Sequence, residues 1–461
     1  MKTPQKNGPA TGRPLPPTAR QVAVDTLRAW SDSRAPVDRL FAARSDKLPA
    51  RDRALAMELV YGVLRHKEHL DRLIGLLSRQ PLRKMRPRTR MALRIGLYQL
   101  QFCERIPPAA AVNETVSVLT QCRQPRWLTG FVNAVLRRAA GELASLPDPS
   151  QPHPDGRPLL NHPQWLLQRW QKRFGTKQAT AICQVNNQRP ELTLCCNSRK
   201  IERKNLVSRL CHRGIRARPG DLSPEAVLLE GDAGAVPFLP GYAKGLFHVQ
   251  DQAAQLACHL VPRQVGPCLD ACAGVGGKTM LLATLLAANV PLTAIEPDQH
   301  RFALLRNNLE RLELTARVTV HCQTLAEHAR STATRYQAIF VDAPCSGTGV
   351  IRRQPDIRWN RTPEDLHRNQ EVQTALLQEA ASLLLPGGYL VYATCSLESE
   401  ENEGVVDRFL EDHPGFSLLP CKKQLPPAAR HLTDDRGLFT PLPSVTTDGF
   451  FAALLQRTPC L

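Results

Sequence analysis

From about Phe247 to the C-terminus the chain alternates strand-like and helix-like segments, and no other feature of the sequence limits the fold as much. VGPCLDA precedes GVGGK and the helical TMLLATLLAANV, and PLTAIE precedes QHRFALLRNNLERL. ARVTVH and YQAIFVDAP follow, then helical EDLHRNQEVQTALLQEAASLLL, strand-like GGYLVYATC, helical EENEGVVDRFLEDH and a last strand GFFAALLQ. Strands joined by crossover helices predict a doubly wound, mostly parallel α/β sheet. Such a sheet binds ligands beyond the C-terminal ends of its strands, beside the point where strand order reverses. The residues directly after each strand are therefore the ones to read for chemistry.

The preceding part of the chain follows another period. In VAVDTLRAW, RALAMELVYGVLRHKEHLDRLIGLL, TRMALRIGLYQLQF, AVNETVSVLTQC and LTGFVNAVLRRAA the apolar residues recur at three- and four-residue steps. That spacing predicts an all-α domain of five or more amphipathic helices. Six prolines within residues 146–163 mark a linker. Helical WLLQRWQKRF and KQATAICQV, strand-like LTLCCN and a helix near 202–213 then predict a small α+β module. The expected layout is a flexible basic tail at 1–17, an all-α domain at 18–145, the linker at 146–163, the module at 164–245 and the α/β domain at 246–461. A chain of 461 residues exceeds a single core, as this layout requires.

Charge divides along the same boundaries. Residues 1–145 hold 26 Lys and Arg against 11 Asp and Glu, residues 146–245 hold 15 against 8, and residues 246–461 hold 19 against 23. Basic charge concentrated in the front half points to nucleic acid, because neutralised phosphates release counterions. No run approaches the roughly 18 apolar residues of a membrane span, so no membrane partner is expected. Fourteen cysteines in a large chain that opens MKTPQKNGPATGRPLPP predict a reducing, cytoplasmic location. None forms a C-x-x-C pair, so no metal site is expected.

After the first strand of the α/β domain, Asp270-Ala271-Cys272-Ala273-Gly274-Val275-Gly276-Gly277-Lys278-Thr279 is a glycine-rich turn opening a helix. Glycines admit a ligand close to the backbone, and the helix N-terminus offers unpaired N–H groups. A P-loop is the rival reading, but its first glycine would fall on Cys272. Glu296, ending the next strand, is placed to accept hydrogen bonds from ribose hydroxyls. The turn is not G-x-G-x-x-G and no second nucleotide-binding half follows, which favours S-adenosylmethionine over a dinucleotide. Residues 272–278, Glu296 and Asp342 form the expected cofactor site.

Two cysteines stand out by position. Cys345 follows one strand in Asp342-Ala343-Pro344-Cys345-Ser346-Gly347-Thr348-Gly349, and Cys395 ends the next in Tyr392-Ala393-Thr394-Cys395-Ser396. Both thiols should open into one crevice with Asp342. C5 methylation of a pyrimidine needs such a site: cytosine C5 is too weak a nucleophile until a thiolate adds to C6. Asp342, protonated or sharing a proton, would donate near N3, and the second cysteine would help to release the product. Lys278 has three readings here: it lowers a thiolate pKa, orients the base or caps the site.

These stretches, with Glu400-Glu401-Asn402-Glu403 and the closing Asp448-Gly449-Phe450-Phe451, resemble the Sun (Fmu) family of RNA cytosine-C5 methyltransferases. Tyr61-Gly62-Val63-Leu64-Arg65, Gly96-Leu97-Tyr98-Gln99-Leu100, Arg105-Ile106-Pro107-Pro108 and Asn133-Ala134-Val135-Leu136-Arg137-Arg138 resemble the NusB-like RNA-binding domain of one bacterial branch, which acts on small-subunit (16S) ribosomal RNA. The resemblance implies an all-α NusB-like bundle joined to a Rossmann-like, S-adenosylmethionine-dependent methyltransferase domain. It also implies that Cys395 is the nucleophile and Cys345 assists release, although DNA methyltransferases with a Pro-Cys nucleophile keep the reverse assignment open. The sequence departs from the family at Gly274-Val275, where Ala-Pro is usual, at Glu296, where Asp is commoner, and at Thr324, where an acid often holds the adenine amino group. Thr324 would substitute weakly.

Two basic clusters are candidate RNA contacts. Arg79, Arg83, Lys84, Arg86, Arg88, Arg90 and Arg94 crowd the helical domain. Arg352, Arg353 and Trp359 follow Cys345, as a basic loop overhanging the crevice in which the arginines pair phosphates and Trp359 either stacks a base or pins the loop. The leading expectation is a monomeric 16S ribosomal RNA cytosine-C5 methyltransferase. Its rivals are the same chemistry on another RNA such as tRNA, a non-catalytic RNA-binding ribosome-assembly factor, and a P-loop NTPase.

Overall fold

A computed structural model describes residues 16–152, 156, 158–231 and 233–459. Apart from its last two residues, the expected tail at 1–17 lies outside them. The chain divides into two compact units, residues 1–161 and 162–461.

Seven α-helices are described in the first unit: α1 (Ala19–Asp32), α2 (Val37–Ser45), α3 (Ala50–Arg65), α4 (Lys67–Leu77), α5 (Pro87–Phe102), α6 (Pro108–Gln121) and α7 (Arg126–Gly141). Every residue of α5 from Met91 to Leu100 is buried, so α5 is the central helix, and α1, α3, α4, α6 and α7 pack around it. Gly62 permits the α3 contact, since a Cβ there would lie 2.0 Å from the Tyr98 ring. The long run over 53–77 is two helices, broken at His66 (φ −111°, ψ 22°). Helix α2 gave no clear period because Val37, Phe41 and Ser45 are its only buried residues.

The second unit begins with α8 (Gln164–Asn186), in which Gly175 at φ 79° breaks the helical geometry between the two apolar runs. A small antiparallel sheet follows, built from β1 (Leu192–Cys196), β2 (Ala217–Pro219), β3 (Ala226–Leu229) and β4 (Phe247–Val249) in the order β2-β3-β1-β4, with α9 (Arg203–Cys211) beside it. The expected boundary at 245 falls too early. Phe247 is fully buried among the small sheet's apolar side chains, and β4 pairs with β1.

The remaining elements are α10 (Gln252–Cys258), β5 (Cys268–Asp270), α11 (Gly277–Leu285), β6 (Leu292–Ile295), α12 (Gln299–Arg311), β7 (Val318–His321), α13 (Leu325–Ser331) and β8 (Tyr336–Asp342). They continue with α14 (Ile357–Asn360), α15 (Pro363–Leu383), β9 (Leu384–Thr394), α16 (Glu403–Asp412), β10 (Phe416–Leu419) and β11 (Phe451–Arg457). The sheet runs β10-β11-β9-β8-β5-β6-β7, parallel from β9 to β7, with β11 antiparallel to β9 and β10 antiparallel to β11. Its two faces bury separate apolar clusters, one with α10, α11 and α12 and the other with α13, α15 and α16. Strand order reverses at β5, between β8 and β6, so the switch point lies where Asp270, Glu296 and Asp342 end or follow their strands.

Candidate active site

The turn after β5 is shaped by two left-handed glycines, Gly274 at φ 57° and Gly276 at φ 94°. A Cβ on Gly276 would lie 2.5 Å from Leu305, whereas one on Gly274 would meet nothing within 4 Å. The Gly274 side of the turn is thus open for a ligand, and the amides opening α11 have no intrahelical partners. Asp270, which sequence reasoning did not assign, is fully buried and accepts from Thr279 Oγ1 at 2.6 Å and from the Cys272 amide at 3.4 Å. It ties the turn to the helix, and burial pushes its pKa up to about 6. Burial first, then the charges of Asp270, Asp342 and Glu296, hold the Cys272 thiol well above its ordinary value, so it stays neutral.

Glu296 is 2% exposed. Its Oε1 accepts from the Asp298 amide at 2.8 Å and pairs with Arg301 at 3.0 Å, and among the described residues none donates to Oε2. Thr324 corrects an expectation. Its hydroxyl accepts from the Glu327 amide and donates to the Glu327 carboxylate, closing a capping box on α13. The hydroxyl expected to meet an adenine is committed to starting a helix.

The loops after β8 and β9 bring the two cysteines together. Asp342 and Ala393 are partners in the parallel ladder, and Cys345 Sγ lies 3.4 Å from Cys395 Sγ. Both residues are half-buried. The hydrogen bond to Cys395 is the largest influence on the Cys345 thiol, followed by burial and by the charges of Cys395 and Glu401, and all of these raise its pKa. Lys278 Nζ donates to Asp342 Oδ2 at 2.6 Å and lies 5.3 Å from the centre of the Phe450 ring. Burial works against the ammonium, but Asp342 outweighs it and charges at Cys258 and Cys395 add to the effect, so the Lys278 pKa is raised. The structure thus joins Asp342 to Lys278 through a short hydrogen bond, a partner the sequence reading did not assign to it.

Three separated motifs form one strap around the thiols. The Gly349 amide donates to the Cys395 carbonyl and the Gly449 amide to the Gly349 carbonyl, each at 2.9 Å. A Cβ on Gly349 would lie 2.2 Å from the Gly449 carbonyl oxygen, so only glycine fits. Behind the strap, the buried Glu401 carboxylate accepts from the Ser346 amide at 2.7 Å, from the Ser346 and Ser396 hydroxyls, and from Asn369 Nδ2 at 2.7 Å. Asn402 Nδ2 donates to the Ser396 carbonyl, and Thr394 Oγ1 donates to Asn402 Oδ1. Sequence reasoning noted Glu401 and Asn402 only as part of a motif. The polar residues that follow each cysteine were the available signal.

The basic clusters separate into exposed and internal groups. Arg79, Arg83, Lys84 and Arg86 are exposed. Arg88, an expected RNA contact, pairs with Asp25, while the buried Arg94 forks onto Asp71 at 2.7 and 2.8 Å. The basic loop after Cys345 is also corrected. Arg352 is 2% exposed and donates to the Ser444 and Val445 carbonyls, and Arg353 bridges Asp448 and Asp251. Buried carboxylates consume the charge that was expected to meet phosphate. Trp359 is half-buried on α14.

The family model for 16S rRNA methyltransferase RsmB/F matches residues 257–456, the NusB family model residues 17–141, and a ferredoxin-like domain model of RsmF/B-like methyltransferases residues 162–235. A probable ribosomal RNA small subunit methyltransferase B of Bacillus subtilis is 33% identical, over 95% of this chain and 99% of its own length. The ribosomal RNA small subunit methyltransferase B of Pseudomonas putida is 38% identical, over 95% and 98%. Among solved structures, PH0851 shares the fold with a TM-score of 0.76 at 22% identity, over 96% of this chain and 99% of its own. A methyltransferase homologue from Pyrococcus horikoshii reaches a TM-score of 0.55 at 27% identity, over 65% and 96%. An open glycine turn beside a buried acid suits S-adenosylmethionine, and with relatives matched over nearly their whole length the chain belongs to the 16S rRNA methyltransferase RsmB/F family and is an S-adenosylmethionine-dependent RNA methyltransferase.

Proposed function

We propose that the protein methylates C5 of a cytosine in small-subunit ribosomal RNA, with Cys395 as the nucleophile and Cys345 as the residue that completes release. The observation that carries this reading is the 3.4 Å thiol pair beside the Lys278–Asp342 ion pair, at the strand ends next to the glycine turn. Residues 272–278, Glu296 and Asp342 would hold S-adenosylmethionine, whose chemistry there would be to supply an electrophilic methyl group. Everything else falls to the chain. Cys395 lies within electrostatic reach of the Lys278 ammonium, whereas the hydrogen bond to Cys395, burial and the nearby Glu401 carboxylate favour the thiol at Cys345.

The Cys395 thiolate adds to C6, and Lys278 supplies the proton that N3 takes up as electron density moves into the ring. C5 then accepts the methyl group. Once Cys395 Sγ is bonded to C6 it is neither an anion nor a thiol partner, so two of the causes that keep Cys345 protonated disappear. Cys345 loses its proton to solvent and takes the C5 proton. The C6–Sγ bond breaks, its electron pair returns to Cys395, and the N3 proton returns to Lys278. Arg83, Lys84 and Arg86 hold phosphates. Both thiols belong to one chain, consistent with a monomer working in the cytoplasm, where ribosomal RNA is its substrate.

The test is transfer from labelled S-adenosylmethionine to unmodified small-subunit RNA. Wild type should label cytosine C5, Cys395→Ala should abolish transfer, and Cys345→Ala should accumulate a protein–RNA adduct on denaturing gels. Absence of C5 label with wild type sinks the reaction. Normal turnover by Cys345→Ala sinks the release role.

A further inference from the structure

We propose that Glu401 is a positioning residue for methyl transfer: its one buried carboxylate holds the residues that follow both cysteines and thereby sets the two sulfur atoms against each other. The proposal rests on the assignment of the two cysteines given above, and it adds what fixes their spacing.

Cys345 and Cys395 sit on separate loops, and no covalent or ladder contact joins the two residues themselves. Glu401 supplies the link one residue further on. Oε1 accepts from the Ser346 amide and Asn369 Nδ2, and Oε2 accepts from the Ser346 and Ser396 hydroxyls, so a single side chain takes donors from both loops and from α15. The carboxylate is 0% exposed and meets no cation among the described residues; its donors are an amide N–H, two hydroxyls and a side-chain amide. Burying a carboxylate this way is costly unless its lone pairs are filled, and here four donors fill them. A glutamine of the same shape would bring an N–H₂ to an atom that now only accepts. The clamp is itself held from behind, where Tyr392 Oη donates to the Glu401 carbonyl at 2.6 Å. Burial raises the Glu401 pKa, and its four donors work in the opposite direction.

Thiol spacing can be read without RNA. Diamide removes two electrons and two protons from a thiol pair, is itself reduced to the hydrazine, and leaves an S–S bond whose formation rate depends on how often the sulfurs approach. Formation of the Cys345–Cys395 disulfide, followed by peptide mass spectrometry on the full chain, should be at least about tenfold slower in Glu401→Gln than in wild type. In methyl transfer the same variant should lose at least about tenfold in kcat, while the KM values for S-adenosylmethionine and RNA stay within about twofold, as expected of misplaced reacting groups. The double variant Ser346→Ala, Ser396→Ala keeps the carboxylate and removes two of its donors, and should show the same pattern. It decides the matter if Glu401→Gln does not fold. Unchanged disulfide rates in a folded variant overturn the proposal, as does a loss confined to KM. If wild type fails to methylate cytosine, the assignment of the cysteines falls, while the diamide rates still report on the clamp.

Discussion

At the scale of single residues, the site is built from buried charges whose protonation is set by their neighbours. Asp270 is the clearest case for stability. Its carboxyl titrates near 6 in the folded chain against an ordinary 3.8, so the folded state binds the proton more tightly. Its contribution is therefore most favourable below about pH 4, declines as pH rises to about 6 and is flat above that. Asp448, also pushed up to about 6 by burial, adds a slope of the same sign. Asp270→Asn keeps an acceptor for Thr279 and removes the titration. Urea unfolding should then show a loss of stability between pH 4 and pH 7 that is smaller than wild type by up to about 3 kcal/mol. An equal loss in both proteins would show that Asp270 is not ionising in a buried place. Residues of this kind were legible only in part. Cys345, Cys395 and Lys278 announce themselves by standing directly after strands or at a helix start. Glu401 does not, because Ser396 is five positions away but Ser346 is 55, and only the serine that follows each cysteine hints that one carboxylate meets both.

At the scale of elements, glycine substitutions should separate the cofactor turn from the strap. Gly274 is left-handed but faces open space, so Gly274→Ala should cost about 1 kcal/mol in stability and act mainly on cofactor affinity, measured by calorimetric titration. Gly349 has no such space, since an added Cβ meets the Gly449 carbonyl, and Gly349→Ala should lower both Tm and methyl transfer. Equal thermal stability of the two variants would contradict this division. Alternation of strands and helices was readable because the central strands β5, β6 and β8 are apolar and each is followed by a turn rich in polar residues, Gly or Pro. The strand at Phe247–Val249 falls beyond the expected boundary at 245, since pairing with β1 is a tertiary choice that period and composition do not encode. The basic segment after Cys345 misled for a related reason. Arg353 looks like a surface cation until Asp448 and Asp251, about a hundred residues away along the chain, enclose it. Arg353→Ala should accordingly destabilise the second unit by about 3–5 kcal/mol, as unfolding in urea would show, through the uncompensated carboxylates it leaves behind.

At the scale of the whole molecule, basic charge and chemistry occupy different parts of the chain: +15 lies in residues 1–145 and −4 in residues 246–461. Neutralising Arg83, Lys84 and Arg86 together by alanine should weaken RNA binding uniformly and reduce the slope of log affinity against log salt by roughly 2 to 3, with Tm unchanged. An unaltered salt slope would remove these residues from the RNA-binding surface. The central claim concerns which sulfur attacks the base. RNA in which the target cytosine is replaced by 5-fluorocytosine offers no C5 proton to remove, so methyl transfer should stop at the covalent adduct. Peptide mapping of that trapped complex in the wild-type protein, with S-adenosylmethionine present, should find the nucleotide on Cys395; attachment at Cys345, or no adduct at all, would contradict the account.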